Sequence, residues 1–198
     1  VRLSQLMRLG YQSCSLRILD GLLNVLPANV DPAMQNSYST LVDAYKLNEL
    51  LPNCGLGIFA LSSIPVDRAE PSESLLANIV YSLGLPSSIR LLSDRQLDSF
   101  LAGRSIKQER LTRGARGAYF VPAEIEIEAG EETEWMIVAD VNQRAGDIVR
   151  LESKFEDPTK FAAEIRCDID NGTENLQSIV ASADGIQSGG DPLHQARH

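Results

Sequence analysis

A chain of 198 residues fits one or two domains and is long enough to bury a substantial core. With 43% hydrophobic and 23% charged residues it has the composition of a globular protein. Its formal charge of −9 and pI near 4.7 argue against a nucleic-acid or anionic-membrane surface, because phosphate binding needs a basic stripe.

Cys14, Cys54 and Cys167 are far apart and form no CxxC spacing, so the sequence offers neither a disulfide framework nor a zinc signature. Both histidines lie in the last five residues and leave little for a His-based metal site. No metal and no other cofactor is expected, and the reduced cytoplasm is the expected compartment. No apolar run reaches the roughly 18 residues that a membrane-spanning helix needs. The start, Val1-Arg2-Leu3-Ser4, lacks an initiator Met and an apolar signal core, as a cut inside a longer chain would.

In chain order, Val1–Met7 carries a short alternation. Cys14, Leu16 and Ile18 alternate with Ser15, Arg17 and Leu19 as in a half-buried strand, which Asp20-Gly21 is expected to end. Leu22–Pro27 then reads as an apolar loop tucked into the core. Asp31-Pro32 predicts a helix start, with an Asp cap and Pro at the first helical position. Met34, Tyr38, Leu41, Val42 and Tyr45 follow at helical spacing and read as core packing. Pro52–Gly55 is a turn and Gly55–Ser63 a strand. The GLG at 55–57 is no phosphate loop, since it precedes an apolar strand instead of following one.

Pro65–Pro71 is a charged, proline-bracketed loop in which Asp67, Arg68 and Glu70 read as local ion pairs. Ser74–Gly84 predicts a strand with Leu75, Ala77, Ile79, Tyr81 and Leu83 on one apolar face. Ser93–Ala102 reads as a short surface helix capped by Ser93 and stopped by Gly103. Arg104, Lys107, Arg110, Arg113 and Arg116 form the one basic run. It reads as a solvated loop, or more sharply as a contact with acidic surface in a larger protein.

The stretch around which the rest is organised is Ala118–Val141, AYFVPAEIEIEAGEETEWMIVADV. Glu124–Glu128 alternates polar and apolar residues, the period of a strand with one wet face. Trp135–Ala139 is nearly all apolar and should be buried on both faces. With Gly130 between them, the two runs read as a hairpin. Beyond Val141 the pattern is helical. Helix starts are expected near Asn142, at Asp157-Pro158 and again at Asn171-Gly172-Thr173. Asp184–Asp191 reads as a flexible tract. The fold class is thus mainly β with appended helices: a partial antiparallel β-sandwich over residues 1–141, incomplete at its N-terminus, then a helical linker over residues 142–198.

The sequence contains no catalytic constellation. Glu124, Glu126 and Glu128 would repel one another if buried, so they mark the wet face. Asp168 and Asp170 read as helix-end caps rather than a metal site, and Asp140 as the cap of the following helix. No Ser lies in GxSxG. His194, Arg197 and His198 make a small cationic cluster. Arg197 and His198 are the candidate substrate-binding residues, suited to a phosphate; the competing reading is a frayed chain end.

Four stretches resemble a known family: LGYQSCSLRILDGLLNVLPANVDPAMQ, TLVDAYKLNELLPNCGLGIFALSSIPVDRAEPSESLLANIVYSLGL, WMIVADVNQ and VASADGIQSGGDPLHQARH. They are similar to the N-terminal part of bacterial 1,2-β-oligoglucan phosphorylases, relatives of glycoside hydrolase family 94. The likeness is weakest over Ser87–Arg116. It implies a large cytoplasmic enzyme with a β-sandwich, linker helices and an (α/α)6 barrel. Such enzymes cleave a β-1,2-glucosidic bond with inorganic phosphate as co-substrate, inverting the anomeric carbon and releasing α-glucose 1-phosphate. A carboxylic acid protonates the glycosidic oxygen while phosphate takes the place of the base-activated water of an inverting hydrolase. By the resemblance that acid sits in the barrel, and no residue here matches it. The implied role of this chain is non-catalytic, and its implied partners are its own catalytic barrel, a β-1,2-linked glucooligosaccharide bound through the parent enzyme, and a second copy in a homodimer. The alternative is a freestanding carbohydrate-binding or protein-interaction sandwich. Sugar-binding modules present several exposed aromatics, whereas aromatics make up 6% here and the single Trp falls in a strand read as buried.

Overall fold

The computed structural model describes residues 2–8, 13–62 and 76–183. Among these residues eight strands and five helices follow one another. They are β1 (Arg2–Arg8), β2 (Cys14–Val25), α1 (Pro32–Ser37), α2 (Ser39–Tyr45), β3 (Lys46–Leu51), β4 (Leu56–Leu61), β5 (Ala77–Leu83), α3 (Leu97–Leu101), β6 (Leu111–Arg113), β7 (Gly117–Ile127), β8 (Glu132–Gln143), α4 (Ala145–Lys154) and α5 (Pro158–Ala183). The described residues divide into two compact units, one running to Glu156 and one starting at Asp157. Among them no helix is long and apolar enough to cross a membrane. The fold is mainly β with appended helices.

In the first unit, one sheet has the order β1-β8-β5-β4-β3-β6 and the other pairs β2 with β7, all antiparallel. The core lies between them. Leu50, Phe59, Val80, Trp135 and Ile137 come from the larger sheet, and Tyr119, Val121, Ala123, Ile125 and Ile127 from the smaller. Burying one side chain of this size contributes roughly 1.5–3 kcal/mol. Glu124, Glu126 and Glu128 face water as their alternation predicts; of the expected buried run Trp135–Ala139, Trp135–Val138 are buried between β1 and β5 and Ala139 is half-buried.

The expected hairpin is not one. β7 and β8 belong to different sheets, so the turn closed by Glu131 N–H on Glu128 O (3.1 Å) carries the chain from one layer to the other. Gly130, at φ +81°, supplies the left-handed residue that either connection needs. A local turn signal cannot distinguish the two outcomes, because the choice rests on the partners β2, β1 and β5.

Asp20-Gly21 likewise does not end a strand. β2 runs through it to Val25, with Gly21 opposite Phe120. A Cβ on Gly21 would sit 1.9 Å from Tyr119 O, so the glycine is there for close approach of two backbones. Leu22–Val25, expected as loop, is strand with a bulge at Asn24 (φ +56°).

Asp31 caps α1 by accepting from Met34 N–H at 2.6 Å, with Pro32 first in the helix. The expected single helix is instead two short ones broken at Tyr38. Its stripe is not core: Met34, Tyr38 and Leu41 are exposed, and Val42 is the buried member. Ser93 does not cap α3; the N-cap is Gln96. Gly103 does terminate it. Gly103 N–H reaches Phe100 O and Arg104 N–H reaches Ser99 O, the paired bonds of a left-handed helix stop. Part of the basic run is strand, since β6 pairs with β3 at the sheet edge.

Asp140 does not cap α4. Its carboxylate accepts from Val141 N–H at 2.9 Å within β8, whereas Asp147 reaches back to Arg144 N–H at 3.0 Å to cap the helix. Asp157 starts α5 by accepting from Lys160 N–H at 3.0 Å. The helix then runs 26 residues without the break expected at Asn171-Gly172-Thr173. Thr173 Oγ bonds back to Ile169 O at 3.0 Å, so its hydroxyl serves the helix interior rather than a new N-terminus. Asp168 and Asp170 are therefore mid-helix residues, not caps.

Candidate functional site

The residues singled out in the sequence do not converge. Arg197, His198 and His194 lie outside the described residues, as do Asp67, Arg68, Glu70 and the 184–191 tract. Glu124 and Glu126 stay on the wet face of β7, and Glu128, one residue past its end, is exposed. Among the described residues no three His, Cys, Asp or Glu side chains gather as a metal site.

The structure instead organises polar side chains in three buried or half-buried clusters and one groove. Tyr119, on β7, is fully buried. Its hydroxyl donates to Gly55 O at 2.7 Å, accepts from Arg90 Nε at 3.0 Å and lies 3.4 Å from Ser82 Oγ. Burial pushes the phenol pKa up, and the adjacent Arg90 charge offsets part of that. Arg90 is itself buried and spends Nη1 on Ser87 O and Ile89 O, each at 2.8 Å. This cluster ties β7 to the Pro52–Gly55 turn and to the segment after β5.

Glu109 is a clamp. Its carboxylate accepts from Leu92 N–H (2.7 Å), Ser93 Oγ (3.0 Å) and Gln96 Nε2 (2.9 Å). It thereby fixes the entry to α3 against the stretch leading into β6. A third cluster surrounds Lys46, which is buried and pairs with Asp43 at 2.7 Å and with Gln35 Oε1. Arg116 approaches Asp43 at 3.5 Å from the other side. Burial raises the Asp43 pKa, but the hydrogen bonds from Lys46 and Gln35 and the charges of Lys46 and Arg116 outweigh it and hold the carboxyl below its ordinary value.

The groove has a volume of 390 Å³ and is lined by Asn53, Cys54, Val149, Glu152, Ser153, Phe155 and Glu156. The Pro52–Gly55 turn forms one wall and the C-terminal half of α4 the other. Phe155 is held by an edge-to-face contact with Tyr81, centroids 5.5 Å apart. Burial, with the Glu152 charge, pushes the Cys54 thiol pKa up and disfavours a nucleophilic thiolate there. The lining of the groove includes two carboxylates, an amide and the Ser153 hydroxyl, which donates to Arg150 O at 2.8 Å. Sequence reasoning missed it entirely. Glu152 and Glu156 show a one-turn spacing, but nothing local joins them to Asn53, about a hundred positions earlier.

No family model matches the chain, and no curated protein matches it.

Proposed function

We propose that the chain is the non-catalytic N-terminal sandwich and helical linker of a carbohydrate-active enzyme that phosphorolyses β-1,2-glucooligosaccharides to α-glucose 1-phosphate in the cytoplasm. The observation that carries this reading is the order of the architecture. Two antiparallel sheets come first, then α4, then a 26-residue α5 whose second half keeps Leu176, Ile179 and Val180 exposed. The family resemblance implies this order of sandwich and then linker. In this reading the apolar half of α5 faces the catalytic barrel, and both the general acid and the phosphate-binding groups belong to that barrel. Inorganic phosphate is co-substrate, and no further cofactor is invoked. The groove beside α4 favours the second reading, a carbohydrate-binding module that works alone.

The test has two arms. The intact gene product is assayed for phosphate-dependent release of α-glucose 1-phosphate from β-1,2-glucooligosaccharides, and the isolated chain is titrated calorimetrically with the same sugars. The accessory reading expects release by the intact product and no heat from the isolated chain up to millimolar sugar. An intact product that releases no sugar phosphate overturns the phosphorylase assignment. Millimolar or tighter binding by the isolated chain, lost in Asn53→Ala and Glu152→Ala, moves the function to the groove.

A further inference from the structure

We draw no further inference here: the strongest candidate, the exposed apolar stripe of Leu176, Ile179 and Val180 on the second half of α5, is an unpartnered helix face, and nothing in the structure shows what covers it.

Discussion

The sandwich and the second half of α5 place polar and apolar groups in opposite ways. In the sandwich, Lys46, Arg90, Ser93 and Tyr119 are buried, and each has side-chain hydrogen-bond partners: Lys46 from the two helices just before it, the others from segments at least sixteen residues away. On α5, Leu176, Ile179 and Val180 stand in solvent although their spacing is that of a packed face. Helical periodicity shows that a face is apolar, but not what covers it. A sandwich can hold even a lysine or an arginine inside, provided its hydrogen bonds are made, as Lys46 does with Gln35 and Asp43 and Arg90 with Tyr119.

Four substitutions break or sharpen this contrast. The largest effect is expected for Gly21→Ala. A Cβ there meets backbone at 1.9 Å, so β2 and β7 must separate, and chemical denaturation should show a loss of about 3 kcal/mol. An unchanged denaturation midpoint would refute the paired geometry. Next is Tyr119→Phe. It keeps the ring but leaves Arg90 Nε and Gly55 O without their partner in the core, at a cost of about 2 kcal/mol by the same measurement.

Asp43→Asn should cost about 1 kcal/mol at neutral pH by weakening the partnership with buried Lys46. The folded-state pKa of Asp43 lies below its unfolded value of 3.8, so its stabilisation is fully present well above pH 3.8 and is lost as pH falls through the folded value. The stability gap between wild type and variant should therefore close on acidification below about pH 4. A gap independent of pH would mean that the carboxylate charge is not what holds Lys46.

The smallest effect has the opposite sign. Gly172 sits mid-helix with open space where a Cβ would go, so Gly172→Ala should raise the helical circular dichroism signal and stabilise α5 by about 0.5–1 kcal/mol. A loss of helicity would restore the helix break that Asn171-Gly172-Thr173 suggests.

What was legible in the sequence was local. The alternation at Glu124–Glu128, the apolar run at Trp135–Ala139 up to the half-buried Ala139, the Asp31-Pro32 start and the Gly103 stop hold. Each depends on hydrogen bonds or side-chain directions within a few residues. The overall order of sheet before helix was legible for the same reason, because the hydrophobic period changes after Val141, two residues before β8 ends at Gln143. The misread elements were those in which a local signal had two uses. Gly130 and Gly21 both look like turns, yet one changes layers and the other brings two backbones together. Ser93 looks like a cap, yet its hydroxyl is taken by Glu109, sixteen residues on.

By itself, then, the sequence determined that sheet precedes helix, that Glu124, Glu126 and Glu128 face water and that Trp135–Val138 is dry on both faces. Only the tertiary structure decided that β7 and β8 part into separate sheets, that β2 runs on past Gly21, and that Asn53 and Glu152 share a groove. Strand pairing and groove formation join residues scores of positions apart, and their free energy arises from partners that no local window contains.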